Sequence, residues 1–184
     1  MDISIPSLNK ENKVFPFFVE SLRFKNGRGE CLVTGLVDNS IIESVQVAIS
    51  VIKKFYNIIN ISKKKIFRSD FHVHFTDGSF YKEGTSAGLG ILISLIYSCM
   101  TLKQKENLTN LSILATGEID LYGNILEVGG INEKMEIANN YDYFLIPQNS
   151  YVINNKRGNI IELKKLEDLD TFLKQFRNLS SESS

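Results

Sequence analysis

Residues 86–98, SAGLGILISLIYS, decide the fold that this sequence predicts. Small residues lead into a run that is apolar at almost every position, yet the run is too short to span a bilayer, which takes about 20 residues. A helix that is apolar on all its faces is normally buried on every side. The stretch therefore predicts a central buried helix that begins near Ser86 and on which the other elements pack.

The segments around this helix alternate between helical and strand patterns. Apolar residues recur at helical spacing through residues 41–55, after a Ser40–Glu43 capping box, which predicts an amphipathic helix. The Asn26-Gly27 pair predicts a tight turn that joins two strands into a hairpin. Further strands are expected in FHVHF, LSILATGEI, ILEVGG and YFLIP, and further helices in INEKMEIANN and LKKLEDLDTFLKQF. The expected class is α/β (α+β mixed), with mixed sheets packed against the buried central helix and flanking helices.

One domain is expected, from residue 14 to residue 177, because no repeat or low-complexity linker interrupts this range. Residues 1–13 are polar with one proline and predict a loosely held arm or linker. Residues 178–184 are polar and predict a disordered tail.

Composition excludes several classes of function. The 184 residues carry 21 Lys and Arg against 21 Asp and Glu, and this balance gives no basic surface for nucleic acid. The start of the chain lacks the basic and then apolar pattern of a signal peptide, and no membrane partner is expected. The two cysteines lie far apart and read as ordinary buried thiols. We expect a cytoplasmic protein.

Two familiar chemistries fit the segment before the buried helix poorly. A phosphate-binding P-loop needs a lysine where Thr85 stands, and its spacing is one residue shorter than the spacing here. The GTSAG pattern around Ser86 matches a hydrolase nucleophile elbow, but His72 and His74 precede the serine, whereas that fold places its histidine last. The two histidines lie at i and i+2 of a strand, and without an evident third ligand they are read as structural or positioning residues; no metal is expected.

A serine paired with a lysine base is the third chemistry. Ser86 at a helix N-terminus would have free N–H groups beside it for a developing oxyanion. Lys134 lies early in a short helix, where the positive end of the dipole disfavours an ammonium. Most lysines four residues into a helix are solvated, so spacing alone favours an ordinary solvated lysine at this position. Lys82 is nearer in sequence to the serine, but it lies in a polar loop and is expected to be exposed.

Five segments together resemble the proteolytic domain of the Lon family of ATP-dependent proteases. They occur in family order as TGLVDNSIIESVQVAISVI, DFHVHF, YKEGTSAG, ATGEIDLYGNILEVGGINEK and YFLIP. The resemblance implies a catalytic dyad of Ser86 and Lys134. It also implies that Thr116 hydrogen-bonds the catalytic lysine. Asn132 matches the first lysine of the family's GGLKEK-like motif, so only the second lysine of that motif is retained here.

The loop before the nucleophile departs from the family pattern at two positions. Glu83 stands where aspartate is usual and is expected to shape the loop. Thr85 stands where proline is usual, and threonine lacks proline's fixed φ. Backbone groups of Gly84, Thr85 and Ala87 are expected to form the loop that holds the oxyanion.

The resemblance implies a serine endopeptidase that acts on unfolded polypeptide. Family members usually carry an AAA+ ATPase module, whose Walker A motif is absent from this chain. We therefore expect an ATPase module or partner supplied separately, with ATP and Mg bound only there, no cofactor in this chain, and a possible homo-hexamer. The alternative is a non-catalytic oligomerisation or scaffold module of a larger ATP-driven assembly.

Overall fold

The computed structural model describes residues 1–9, 11–76, 82, 84–150 and 159–177. Their strands are β1 (Asp2–Leu8), β2 (Val14–Lys25), β3 (Cys31–Thr34), β4 (Ser69–Phe75), β5 (Ser112–Ala115), β6 (Glu118–Ile119), β7 (Ile125–Leu126), β8 (Tyr143–Pro147) and β9 (Ile160–Leu163). Their α-helices are α1 (Asn39–Lys54), α2 (Lys63–Phe67), α3 (Gly88–Cys99), α4 (Leu102–Lys105), α5 (Ile131–Lys134) and α6 (Leu166–Arg177). Short 3₁₀ turns cover Thr85–Ala87, Glu106–Leu108 and Met135–Asn140.

Seven of these strands form one mixed sheet in the order β3-β4-β2-β1-β5-β8-β9. The strands β1, β5, β8 and β9 run parallel to one another, as do β3 and β4, whereas β2 is antiparallel to both of its neighbours. The separate pair β6 and β7 is an antiparallel hairpin. This architecture confirms the predicted mixed α/β class.

Helix α3 lies in the main core, as its sequence predicts. Every residue from Gly88 to Ile96 is buried, and the helix packs against α1, β1 and β2. A Cβ on Gly90 would lie 2.6 Å from Cγ1 of Ile5, so glycine is what allows α3 to approach β1 this closely. The central position of the buried helix is therefore confirmed.

The N-terminal segment is not the loosely held arm that its composition predicted. Residues 2–8 form β1, which pairs with β2 on one side and β5 on the other, near the middle of the sheet. Ile3 and Ile5 are at most 3% exposed and pack in the main core. The folded unit therefore includes residues that the predicted boundary at residue 14 left out. The predicted tail at 178–184 lies outside the described residues.

The hairpin predicted at Asn26-Gly27 is also wrong. The turn exists, but β4 lies between β2 and β3, antiparallel to the first and parallel to the second. The carboxylate of Asp70 in β4 accepts hydrogen bonds from the backbone N–H groups of Arg28, Gly29 and Glu30 at 2.8–2.9 Å. This long-range contact fixes the turn to a strand that comes about forty residues later, which the local turn signal does not reveal.

The second face of the sheet is covered over β5 and β8. Leu114, Phe144 and Ile146 point to this face and pack with Ile131 of α5 and with Ala138 in the following 3₁₀ turn. Their neighbours in the two strands, such as Ile113 and Leu145, belong to the main core on the opposite face. Parallel strands buried on both faces are typical of α/β proteins. This second cluster fixes the position of α5 and its last residue, Lys134.

Two smaller expectations also change. The N-cap of α1 is Asp38, whose carboxylate accepts the N–H of Ile41 at 3.0 Å, and not Ser40. Both cysteines are free, but only Cys99 is buried, while Cys31 is exposed.

Among the residues covered by the structure, no helix combines the length and apolar character that crossing a membrane requires.

Candidate active site

Ser86 lies in the 3₁₀ turn Thr85–Ala87 that leads directly into α3. Its carbonyl oxygen accepts the N–H of Gly117 at 2.9 Å, and the carbonyl of Gly117 accepts the N–H of Leu89 at 2.9 Å. These two bonds join the start of α3 to the segment between β5 and β6. The first N–H groups of a helix have no intrahelical partner, so Ser86 lies where such donors gather, as predicted.

The loop reaches Ser86 through Gly84. This residue has φ 99° and ψ 145°, a conformation that favours glycine. Its N–H donates to Oγ of Ser40 at 2.8 Å, and the Ser40 hydroxyl donates to the Asp38 carboxylate at 2.7 Å. The start of α1 therefore holds the segment just before Ser86. The Gly84 N–H is engaged in this contact, although Gly84 was expected to contribute to the oxyanion loop.

Lys134 and Thr116 are buried together at the ends of their elements. Lys134 is the last residue of α5 and is 4% exposed, while Thr116 follows β5 and is fully buried. The Lys134 amine donates to the Thr116 hydroxyl over 3.1 Å between Nζ and Oγ1. This is the contact that the resemblance implied for these two residues.

Burial lowers the pKa of Lys134 from its ordinary value of 10.5 to about 8, although the nearby Glu133 carboxylate acts in the opposite direction. Removing an ammonium from water disfavours its charged form. The sequence pointed to the helix dipole as the cause, but α5 is only four residues long and burial has the largest effect. At pH 7 a pKa near 8 leaves roughly a tenth of the amine neutral, about 300-fold more than an ordinary lysine has.

A short chain of hydrogen bonds connects Lys134 with the backbone of Ser86. The Thr116 hydroxyl accepts from Lys134 and donates to the carbonyl oxygen of Ser86 over a longer 3.5 Å. Within the described part of the chain, the hydroxyl of Ser86 itself makes no hydrogen bond with the Lys134 amine. The structure thus brings the two residues to one site without bonding their side chains to each other.

The remaining residues predicted for the loop have different surroundings. Thr85 is exposed, and its hydroxyl donates to Oε2 of Glu118 at 2.8 Å. Ala87 is buried at the start of α3. Glu83 lies outside the described residues.

Lys82 is not the exposed lysine that its loop predicted. Its side chain is fully buried, with Nζ 5.7 Å from the centre of the Phe17 ring. Its backbone pairs with the loop that precedes α1, donating to the carbonyl of Leu36 at 2.9 Å and accepting from the N–H of Asp38 at 3.0 Å. This pairing anchors the loop two residues before Gly84.

His72 and His74 lie on one face of β4, as the alternation predicts. Both are bound by the Thr34 hydroxyl, which is 2.8 Å from Nε2 of His72 and 2.7 Å from Nδ1 of His74. This contact links β4 to β3 and agrees with a structural reading of the pair. No cluster of three or more metal-binding side chains occurs among the residues that the structure describes.

Sequence reasoning missed the contacts that two residues, Ser40 and Glu118, make beside Ser86. Ser40 was interpreted as the N-cap of α1, but Asp38 is the N-cap. The hydroxyl of Ser40 is therefore available to accept the N–H of Gly84. Glu118 lies next to Gly117 in β6 and approaches Thr85 only through the folded hairpin. In the sequence, the one feature that could have pointed to Glu118 is its position directly after Thr116 and Gly117.

The chain is similar to known proteins over most of its length. The family model described as Lon protease (S16) C-terminal proteolytic domain matches residues 16–174. Lon protease of Methylocella silvestris is 33% identical over 164 residues, which cover 82% of this chain and 19% of that protein. Lon protease of Buchnera aphidicola subsp. Acyrthosiphon pisum is 31% identical over 153 residues, covering 78% and 19%. Lon protease of Flavobacterium johnsoniae is 36% identical over 121 residues, covering 66% and 14%.

The aligned region thus spans less than a fifth of each of these three relatives, all of which are much longer proteins. The family match contains Ser86, Thr116 and Lys134, the three residues that meet at the start of α3 and the end of β5. Together with the mixed α/β fold, the match to 16–174 establishes that the chain belongs to the Lon protease family.

Proposed function

We propose that this chain is a serine endopeptidase domain that hydrolyses peptide bonds of unfolded polypeptides through Ser86 and Lys134. The observation that carries the proposal is the buried Lys134 amine, whose pKa is about 8. This amine donates to the Thr116 hydroxyl, which in turn donates to the backbone carbonyl of Ser86. A lysine serves as a base only where its neutral form is accessible. Membership of the Lon protease family supports the same reaction.

Acylation begins with attack of the Ser86 hydroxyl on the peptide carbonyl. Neutral Lys134 takes the hydroxyl proton, and the carbonyl carbon becomes tetrahedral with a negatively charged oxygen. The resulting ammonium then donates its proton to the leaving amine as the C–N bond breaks. Lys134 then takes a proton from a water molecule as that water attacks the acyl carbon. The ester C–O bond breaks, the carboxylic acid leaves, and Lys134 returns the proton to Oγ of Ser86.

Backbone N–H groups at the start of α3 stabilise the oxyanion in this proposal. Donors fixed in place before the reaction stabilise developing charge without reorganising. The N–H groups of Ser86 and Ala87 lie at the helix N-terminus, whereas the N–H of Gly84 is already bonded to Ser40. We assign the oxyanion to the former pair.

Thr116 orients the lysine amine. Its hydroxyl accepts one N–H of Lys134 and so limits the positions that Nζ can take. Because Ser86 and Lys134 are not bonded to each other in the described structure, the serine side chain must turn towards Nζ when substrate binds. Catalytic hydrogen bonds commonly tighten only in the substrate complex.

Substrate delivery is assigned to a separate part of the assembly. The aligned relatives are several times longer than this chain. We propose that an AAA+ ATPase module or partner supplies unfolded polypeptide and that ATP and Mg act only in that module. The domain then works in the cytoplasm as a homo-hexamer.

Peptide hydrolysis by four variants tests the dyad. We expect Ser86→Ala and Lys134→Ala each to abolish hydrolysis of an unfolded polypeptide. The matched controls are Ser50→Ala and Lys103→Ala, which change exposed residues of α1 and α4 and should leave the rate unaltered. Full activity in Lys134→Ala would refute the base. Hydrolysis that is absent from the unaltered protein in its assembled form would favour a scaffold role.

A further inference from the structure

One hydrogen bond at the nucleophile has no place in the proposed reaction. The Thr85 hydroxyl donates to Oε2 of Glu118 at 2.8 Å, directly before Ser86 in the chain. A hydroxyl that donates to a carboxylate makes a stronger bond than one between two neutral groups. The bond joins two exposed or half-exposed residues from distant parts of the sequence.

The described residues place little steric restraint on Gly84, in the segment that carries Ser86. Among those residues, no atom lies within 4 Å of a Cβ built on Gly84. Glycine also has the widest choice of backbone conformations. The orientation of the following turn therefore depends on hydrogen bonds, which include those from Gly84 to Ser40, from Gly117 to Ser86 and from Thr85 to Glu118.

Neighbouring contacts hold the backbone of Glu118 in place. It is paired with Leu126 in the β6–β7 hairpin, and the next residue, Ile119, is buried in the main core. The preceding residue, Gly117, bonds to the Ser86 carbonyl through its N–H. Adjacent residues of one segment, Gly117 and Glu118, thus hold Ser86 by its backbone and Thr85 by its side chain.

We propose that Glu118 is a positioning residue that acts through the Thr85 hydroxyl to orient Ser86 for attack. The inference rests on the proposed role of Ser86 as the nucleophile. Glu118 touches neither the peptide nor the proton that moves. Its hydrogen bond with Thr85 restricts the turn, which keeps the Ser86 side chain within a narrow range of approach to the peptide carbonyl. Small errors in the position of a nucleophile lower the rate of the chemical step.

The kinetic test compares Thr85→Val, which removes the hydroxyl at nearly constant size, with Thr85→Ser, which keeps it. We expect Thr85→Val to lower kcat by about three- to tenfold, the effect of one side-chain hydrogen bond, with KM changed little. Thr85→Ser should recover most of that loss. Thr171→Val, the same change on the exposed surface of α6, is the control. An unchanged or higher kcat in Thr85→Val would overturn the proposal.

A double-mutant cycle ties the effect to Glu118. If the two residues act through their shared bond, Glu118→Ala and Thr85→Val should each lower kcat, and the double variant should be no slower than the slower single variant. Losses that multiply in the double variant would show that the residues act independently, which contradicts the inference.

Amide hydrogen exchange separates this proposal from the proposed function. Thr85→Val and Glu118→Ala should speed exchange at the amides of residues 84–87, while amides inside α1 keep their protection. This result is expected whether or not the protein hydrolyses peptides. If Ser86→Ala showed that the proposed function is wrong, unchanged exchange in these variants would independently refute the positioning role.

Discussion

Replacing Lys134 by methionine should make the protein more stable at neutral pH while removing its proposed base. Lys134 is 4% exposed and its amine donates to Thr116, so the wild-type protein holds an ammonium almost out of water. Methionine is unbranched and of similar length, and it packs readily in irregular sites. The substitution therefore removes a buried charge and leaves little empty volume.

The pKa sets the size of the effect. A fall from 10.5 to about 8 means that folding disfavours the ammonium by roughly 3 kcal/mol, at about 1.4 kcal/mol for each pKa unit. Losing the hydrogen bond to Thr116 costs about 1 kcal/mol in return. We expect Lys134→Met to raise the free energy of unfolding by about 1–3 kcal/mol at pH 7.

The sign of the pH dependence follows from the same pKa. Well below pH 8 the folded and unfolded proteins both carry the proton, so the folded state bears the full cost of the buried ammonium. Between about 8 and 10.5 the folded protein loses its proton first, the unfolded protein binds more protons, and wild-type stability rises with pH. The advantage of Lys134→Met should therefore be greatest near pH 7 and shrink towards pH 10.

Urea denaturation at pH 7 and pH 10 measures this difference. Lys103→Met, at an exposed position of α4, is the control and should change stability by less than about 0.5 kcal/mol. A Lys134→Met protein that is less stable than wild type at pH 7 would refute the reasoning. So would an advantage that is equal at both pH values, because the gain would then come from packing and not from the charge.

Two further predictions concern the fold. Ile5→Ala should lower the free energy of unfolding by about 2–5 kcal/mol because Ile5 is 1% exposed in the main core. A loss under about 0.5 kcal/mol in urea denaturation would contradict the place of residues 2–8 in the folded sheet. Hydrogen bonds from the backbone N–H groups of Glu30, Arg28 and Gly29 hold the pKa of Asp70 below its ordinary 3.8. The ionised carboxylate therefore stabilises the folded protein above pH 3.8, and this contribution is lost as pH falls through the lower pKa of Asp70 in the folded state. Asp70→Asn should lower stability at pH 7 and weaken its dependence on pH below 4, and parallel stability curves for the two proteins would contradict this contribution.

The central helix and the positions of Ser86 and Lys134 could be read from the sequence because their signals are local or carried by the family resemblance. An all-apolar run predicts burial without any knowledge of its neighbours. The five family segments fix which serine and which lysine to compare. The Thr116–Lys134 contact was implied in the same way, and the structure contains it.

The place of β1 could not be read in the same way. Its sequence, DISIPSL, has serines and a proline between its apolar residues and looks like a polar arm. Yet Ser4 is fully buried: strands flank it on both sides, and its partner in β5, Leu114, belongs to the second core cluster. Burial of a small polar residue depends on tertiary contacts and leaves no periodic signal.

The contacts around Ser86 could not be predicted for a related reason. Each one joins segments far apart in sequence: Gly84 with Ser40, Thr85 with Glu118, and the turn at residues 28–30 with Asp70. Turn and capping rules describe neighbours within a few residues. These rules predicted a cap at Ser40 and a hairpin at Asn26. In the structure, Ser40 accepts a hydrogen bond from Gly84, and β4 lies between the two strands of the predicted hairpin.

The most direct test of the serine–lysine dyad is the pH dependence of Ser86 phosphonylation by a serine-reactive phosphonate, in which the serine oxygen bonds to phosphorus and the reagent's leaving group departs, with mass spectrometry to locate the adduct. We expect the adduct on Ser86 and a labelling rate that rises with pH through an apparent pKa of about 8, the value for buried Lys134. The rise should vanish in Lys134→Ala. A half-maximum near 6.5, typical of histidine, or labelling of Ser86 that persists unchanged in Lys134→Ala, would contradict the dyad.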